Sequence, residues 1–148
     1  MVYQAAATGF ERKADAYARV LRVGGELICV WNVRDQDVDW VAKYTEVVDA
    51  YANDTPRYRD FIWRRAIDAA ARFAFVEEWG IDNPQTSSPR LAVDRALSTS
   101  FIAALEPSEQ LLVAERIRAI VVELGEHFDY PYRSEMQVWK LNDGSPEG

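Results

Sequence analysis

The chain has 148 residues, of which 49% are hydrophobic and 28% are charged, so its length and composition suit one globular domain. The formal net charge of −7 argues against a nucleic-acid surface or an anionic membrane surface as a partner, because both attract clustered Lys and Arg. No apolar run reaches the ~18 residues that a transmembrane helix needs.

A single cysteine, Cys29, rules out an internal disulfide, and a reducing cytoplasm is therefore the expected location. One cysteine and one histidine also cannot form a Cys/His metal site, so the sequence predicts no metal.

The first clear pattern is a helix that runs directly into a strand. Apolar residues recur at helical spacing from Glu11 to Arg22, and Gly24 predicts a left-handed stop after them. The next run, Leu27 to Val33, is almost continuously apolar, which predicts a strand buried on both faces. A helix followed at once by such a strand is typical of one crossover in a doubly wound α/β sheet.

The remaining sequence continues to alternate between helical and extended patterns. Asp37 is placed to cap the next helix, and residues 82–89 form the most loop-like segment. Helices are predicted at residues 38–52, 58–73, 89–97, 101–105 and 107–124, and strands at residues 75–79 and 132–141. Because the last two strands can pair antiparallel, the predicted fold class is α/β with a mixed sheet.

Candidate substrate-binding residues follow the first predicted strand. Ligands of open parallel sheets lie beyond the carboxyl ends of the strands, which would place Trp31, Asn32 and Asp35 beside such a crevice. Asp35 is also the candidate for a catalytic base that takes a proton from the acceptor. The alternative interpretation of this segment is a solvated turn.

A second candidate segment mixes aromatic side chains with arginines. Tyr58 and Arg59 open it, and they could line a pocket for an anionic or aromatic substrate. The alternative is an amphipathic helix whose arginine stems lie over the core.

Four segments, taken in order, carry a family resemblance. They are RVLRVGGELICVWNVRD (residues 19–35), TPRY (55–58), VDRALSTSF (93–101) and PYRSE (131–135). Together they resemble class I S-adenosylmethionine-dependent methyltransferases, most closely the small-molecule (type 11) branch, over roughly residues 4–141. Val23 stands where that branch usually has proline.

The resemblance implies a partial Rossmann-like fold that supplies only the fifth, sixth and seventh strands of the family's sheet. Residues 1–141 would be the C-terminal half of the methyltransferase-like domain, and residues 142–148 a flexible tail. Gln4 and Ala5 match the start of a family segment beside the cofactor or substrate, which makes them candidate cofactor-binding residues. Ala6, Ala7 and Thr8 then depart from that segment.

The family's glycine-rich cofactor turn would lie before Met1, and the sequence contains no Gly-x-Gly-x-x-Gly. The resemblance therefore implies a truncated methyltransferase for a small molecule that cannot bind S-adenosylmethionine alone. The alternative is a non-catalytic interaction or dimerisation module derived from such an enzyme. A weaker third possibility is a binding protein for an aromatic ligand, which would use Trp31, Trp40, Tyr58 and Trp63.

The strand at Leu27–Val33 also predicts a partner. Without its family neighbour it would present a long apolar edge, and such edges associate. We therefore expect a homo-oligomer such as a dimer, or pairing with a chain that carries the missing half.

Overall fold

The computed structural model describes residues 7–55 and 57–142, with side chains from Ala14 onward. The chain divides into two compact units, and each has its own apolar core. We call Met1–Trp31, Thr55–Gly80 and Ser134–Gly148 the first unit, and Asn32–Asp54 and Ile81–Arg133 the second unit.

Helices and strands alternate through most of the described chain. The helices are α1 (Ala7–Val20), α2 (Asp39–Asp49), α3 (Ile62–Ala69), α4 (Pro89–Leu97), α5 (Ser100–Ala103) and α6 (Pro107–Val121), with 3-10 turns at Tyr58–Asp60 and Val122–Leu124. The strands are β1 (Glu26–Arg34), β2 (Phe73–Asp82), β3 (Gln85–Ser87), β4 (Phe128–Tyr130) and β5 (Tyr132–Leu141). None of the helices in this described part has the length and apolar character needed to cross a membrane.

The main sheet has three strands in the order β1-β5-β2. At one end of β1 the Gly24 N–H donates to the Leu141 carbonyl (3.1 Å), and at the other end the Asp35 N–H donates to the Pro131 carbonyl (3.1 Å). The start of β1 therefore meets the end of β5, which makes this pair antiparallel.

β2 pairs with the other side of β5 in the same sense. The Asn83 N–H donates to the Tyr132 carbonyl (2.7 Å), while the Asn142 N–H donates to the Arg72 carbonyl (2.9 Å). β1 and β2 consequently run parallel to each other on either side of an antiparallel final strand. The α/β fold class with a mixed sheet and an antiparallel final strand is confirmed.

A separate two-stranded sheet pairs β3 with β4, antiparallel, with Gln85 opposite Tyr130 and Ser87 opposite Phe128. Both strands are only three residues long, too short to show alternation, and the sequence had predicted the first as loop.

The first unit is built on α1 and α3, which pack against each other. Its buried core residues are Ala14, Ala18, Trp63, Ile67, Phe73, Trp139 and Leu141. In β1, Leu27, Cys29 and Trp31 pack against this core, while Ile28 and Val30 each keep 50% of their surface exposed. The prediction that the strand is buried on both faces is therefore wrong, because among the described residues only one face is covered.

The second unit is a helical layer in which α6 packs against α2 and α4. The Ser88 hydroxyl caps α4 by accepting the Leu91 N–H at 3.2 Å. Buried side chains from the three helices form its core: Val41, Tyr44 and Val48 from α2, Ala92, Val93 and Ala96 from α4, and Val113, Ala114, Ile117 and Val121 from α6.

Two local predictions are corrected by the backbone. The helix expected at residues 58–73 is interrupted, because Phe61 adopts a left-handed φ of 50° between the 3-10 turn and α3. Asp37 does not cap α2; Val38 occupies the N-cap position with no side-chain hydrogen bond.

Candidate functional site

Aromatic rings from two segments of the first unit meet at Trp31. The period-two alternation of β1 turns this side chain toward the helices, where its ring centroid lies 5.2 Å from Tyr58 and 4.8 Å from Trp63. Tyr58 and Trp63 stack at 5.7 Å with an interplanar angle of 19°. We call these three residues, with Glu135 and Gln137, the aromatic–carboxylate cluster.

The Tyr58 hydroxyl connects the rings to the polar members of the cluster. It donates a hydrogen bond to Oε2 of Glu135 and accepts one from Nε2 of Gln137 at 3.1 Å. Burial raises the pKa of Tyr58 well above its usual value, and the hydrogen bond to Glu135 and the charge of Glu135 raise this pKa further. The hydroxyl therefore stays protonated at neutral pH.

A second carboxylate, Glu78 of β2, lies beside the cluster. Nε2 of the fully buried Gln137 is 3.4 Å from Oε1 of Glu78, and Nη1 of Arg64 is 2.8 Å from Oε2 of Glu78. The Arg64 guanidinium also lies over the Phe75 ring, 4.7 Å from its centroid. Glu78 is thus paired with an arginine, whereas Glu135 accepts a hydrogen bond from a tyrosine hydroxyl.

Two polar atoms in the cluster are buried and have no hydrogen-bond partner among the described residues: the donor Nε1 of Trp31 and the acceptor Oε1 of Gln137. Buried polar atoms normally find partners, so an unmatched donor and acceptor in one cluster favour a bound polar molecule. Aromatic faces beside a carboxylate suit a group that is neutral or positively charged.

The structure brings together two of the predicted substrate-binding residues, Trp31 and Tyr58. Asn32 belongs to the second unit, where its Oδ1 accepts from Nδ2 of Asn83 at 3.3 Å. Asp35 is also in the second unit, and its Oδ1 accepts the Asp37 N–H at 3.1 Å within a polar turn. Arg59 is exposed on the 3-10 turn of the first unit.

The candidate cofactor-binding residues, Gln4 and Ala5, lie outside the described residues. Residues 143–148 of the expected tail also lie outside them. The catalytic role of Asp35 and the substrate-binding roles of Asn32 and Arg59 remain predictions. The carboxylate of Asp35 is engaged by a backbone N–H, which agrees with the alternative interpretation of this segment as a turn.

Sequence reasoning assigned no role to Glu135 or Gln137, although the first ends one of the segments that carry the family resemblance. Alternation along β5 places Glu135, Gln137 and Trp139 on one face of the strand. A glutamine between a methionine and a Val-Trp pair is the signal that could have marked this position.

No protein-family model matches the chain. A curated protein of Mycobacterium tuberculosis, named an uncharacterized methyltransferase, is 26% identical over 104 residues, which cover 70% of this chain and 40% of that protein. A Mycobacterium bovis protein of the same description matches equally. A methyltransferase-like protein of Schizosaccharomyces pombe is 38% identical over 45 residues, 30% of this chain and 18% of that protein.

Among solved structures, a protein of Bacillus halodurans named as a methyltransferase covers 89% of this chain and 58% of its own, with 16% identity and a TM-score of 0.47. The MccD protein covers 89% of this chain and 54% of its own, with 18% identity and a TM-score of 0.40. The chain spans about 40% of the length of the mycobacterial relatives that it matches. The curated relatives are named methyltransferases or methyltransferase-like, so the chain is similar to methyltransferases.

Proposed function

We propose that this methyltransferase-like chain supplies the acceptor-binding portion of an S-adenosylmethionine-dependent methyltransferase that acts on a small molecule. The observation that carries the proposal is the similarity to curated methyltransferases over 70% of the chain. The arrangement of the main sheet, with β1 and β2 parallel on either side of an antiparallel β5, also supports the proposal that the chain is this portion of the fold.

In this proposal the aromatic–carboxylate cluster holds the methyl acceptor. The rings of Trp31, Tyr58 and Trp63 form an apolar wall, and the unmatched Trp31 Nε1 and Gln137 Oε1 orient a polar group. Methyl transfer forms a bond from the acceptor's nucleophilic atom to the methyl carbon as the sulfonium bond breaks, and the acceptor's proton goes to a base. Glu135 is the carboxylate of this cluster that is available as that base, while Asp35, in the second unit, remains a candidate from the sequence alone.

In this proposal the chain alone does not hold the cofactor. Its seven glycines form no Gly-x-Gly-x-x-Gly, and no step is assigned to cofactor-binding residues of this chain. In this proposal the cofactor-binding portion lies outside the given sequence, and the chain associates with a second copy or with a chain that carries that portion. The half-exposed Ile28 and Val30, on a strand at the edge of the main sheet, support such a partner.

The first test is isothermal titration of the purified chain with S-adenosylmethionine and with its demethylated product. We expect no saturable heat from the folded chain alone. Micromolar binding would contradict the partner-dependent part of the proposal, and light scattering of the same sample would show whether a dimer builds that site.

The acceptor site is tested separately by the quenching of tryptophan fluorescence with a panel of aromatic and amine-bearing small molecules. A ligand of the cluster should lose about tenfold or more in affinity in Trp31→Ala, because the variant removes a ring that packs on both Tyr58 and Trp63. Trp79→Ala is the matched control, since Trp79 lies on β2 with 47% of its surface exposed. Equal loss in both variants would place the ligand outside the cluster.

A second candidate function is a non-catalytic interaction module derived from a methyltransferase. The exposed apolar side chains of β1 and β2, which include Ile28, Val30, Val76 and Ile81, favour it. Both functions predict a partner, so they differ in one result: for the interaction module, no small molecule changes the fluorescence of the aromatic–carboxylate cluster.

A further inference from the structure

Two arginines of the second unit meet on a set of tyrosines. The Arg34 guanidinium carbon lies 5.0 Å from the ring centroid of Tyr44, and Arg34 also interacts with the Tyr132 hydroxyl. The Arg95 guanidinium carbon lies 5.8 Å from the ring centroid of Tyr130 and 5.5 Å from that of Tyr132. We call these five residues the arginine–tyrosine cluster, in which Tyr132 contacts both arginines.

Neither arginine pairs with a carboxylate among the described side chains, although the chain has a formal net charge of −7. The side-chain hydrogen bond of Arg95 goes to Oε1 of Gln85, a neutral amide, at 2.8 Å. The carboxylates adjacent in sequence have other partners: Asp94 lies 3.7 Å from Arg90, and Oδ1 of Asp35 accepts the Asp37 N–H at 3.1 Å. Two like charges thus share one set of rings without a counter-ion among the described side chains.

Arg34 remains charged, and both arginines have more donors than their described contacts use. Burial acts to lower the pKa of Arg34, but interaction with the tyrosines outweighs it, and the pKa is raised above its usual value. A guanidinium offers five N–H donors, and rings satisfy none of them by conventional hydrogen bonds.

The Tyr130 hydroxyl adds a buried polar group to the same place. Tyr130 has none of its surface exposed, and its hydroxyl oxygen has no hydrogen-bond partner within the described part of the chain. Its ring lies 4.8 Å from Tyr132 and 5.3 Å from Tyr44, between the groups that contact the two arginines. An unmatched hydroxyl beside two uncompensated guanidinium groups is an environment for an oxyanion.

We propose that the arginine–tyrosine cluster binds a small organic anion through an oxyanion, either a carboxylate or a phosphate. The guanidinium groups of Arg34 and Arg95 donate to its oxygens, and a tyrosine hydroxyl supplies a further donor. The bound anion relieves the repulsion between the two arginines. This binding needs no S-adenosylmethionine, so it stands or fails independently of the proposed methyl transfer.

The test is isothermal titration of the chain with malonate and with inorganic phosphate, at an ionic strength held constant with sodium chloride. We expect saturable one-site binding by at least one of the two probes. Tighter binding of malonate would identify a carboxylate as the recognised group, and tighter binding of phosphate would identify a phosphoryl group.

Four variants locate the site. Arg34→Gln and Arg95→Gln should each weaken binding about tenfold or more, since each removes charge-assisted hydrogen bonds. Arg116→Gln, which makes the same charge change on the exposed side of α6, should leave affinity within about twofold. Arg34→Lys keeps the charge and the fold but loses the planar fork, so it should also weaken binding.

The proposal is overturned if neither probe binds saturably to the folded chain, or if Arg34→Lys, Arg95→Gln and Arg116→Gln bind alike. In either case the two arginines serve only to pack on the tyrosine rings. Because Arg34→Lys retains the positive charge over Tyr44, a folded variant remains available even where Arg34→Gln does not fold.

Discussion

Tyrosines in the two units have neighbours of opposite charge. In the first unit, Tyr58 donates to Glu135 in a cluster of tryptophans and carboxylates. In the second unit, Tyr44 and Tyr130 lie beside Arg34 and Arg95. The same side chain is therefore used as a donor to an anion in one unit and as a surface for cations in the other.

The comparison separates two causes of a raised tyrosine pKa. Burial is the largest cause for Tyr58, Tyr44 and Tyr130 alike. The neighbouring charge then acts in opposite directions: Glu135 raises the pKa of Tyr58, whereas Arg34 lowers the pKa of Tyr44 and of Tyr130. Burial has the larger effect on the tyrosine pKa in both units. The sign of the neighbouring charge therefore determines which ligand each cluster suits, and it does not determine whether the hydroxyl ionises.

We expect the largest effect on the stability of the first unit from removing the central ring of its core. Trp139 is fully buried, packs edge-on against Trp63 and Phe75, and donates from Nε1 to Asp68 at 3.1 Å. Trp139→Ala should lower the free energy of unfolding by about 3–5 kcal/mol, because it leaves a cavity the size of an indole ring.

Hydrogen exchange read by mass spectrometry checks this effect region by region. Backbone amides of the first unit should lose more protection than those of α4 and α6, whose core is separate. Equal loss in both units would show that they unfold together, and the contrast between the units would then be one of chemistry only.

Raising the pH should have the next largest effect. Burial raises the pKa of Tyr44 to about 12, and the pKa values of Tyr58 and Tyr130 are raised as well. Since tyrosine ionises near pH 10 in the unfolded chain, the stabilisation from Tyr44 is complete below about pH 10 and is lost as the pH rises through about 12. By pH 12 this loss should be roughly 2 kcal/mol from Tyr44 alone.

Absorbance at 295 nm and circular dichroism, recorded on the same samples, test that prediction. The buried Tyr44, Tyr58 and Tyr130 should titrate only as the ellipticity falls. Titration of all seven tyrosines near pH 10 with unchanged ellipticity would contradict it.

What the sequence could predict depended on local signals. Helix α4 and strand β5 were predicted at their observed bounds, because Ser88-Pro89 is a strong start signal and β5 alternates over ten residues. The left-handed Phe61 gives no such signal, since that conformation is uncommon for a bulky side chain, and the helix expected there was too long.

The clusters were harder to predict than the elements, because their contacts join distant residues. Trp31 and Tyr58 are separate substrate-binding candidates in the sequence, and their rings meet in the structure, but Glu135 reaches Tyr58 across 77 positions. Arg34 and Tyr132 lie on different strands and meet only because β5 pairs with β1. Without an expected register for β5, neither contact could be inferred from spacing.

Removing a single hydroxyl from each unit sharpens the comparison. The Tyr58 hydroxyl bonds to both Glu135 and Gln137, whereas the Tyr130 hydroxyl has no partner among the described residues. Tyr58→Phe should therefore cost about 1–2 kcal/mol, and Tyr130→Phe should be neutral or slightly stabilising. Urea unfolding of the two variants measures the difference, and a greater cost for Tyr130→Phe would show that its hydroxyl has a partner in solution.

The smallest effect compares one ion pair from each unit. Arg64 and Glu78 are 2.8 Å apart with side chains 29% and 39% exposed, whereas Arg90 and Asp94 are 3.7 Å apart and 92% and 59% exposed. Glu78→Gln should cost about 0.5–1 kcal/mol and Asp94→Asn less than about 0.3 kcal/mol, because water screens the exposed pair. Urea unfolding at about 0.1 M and about 1 M salt separates the two, since screening should remove the effect of Asp94→Asn and only reduce that of Glu78→Gln. Equal costs at low salt would mean that Glu78 stabilises the first unit no more than a surface charge does.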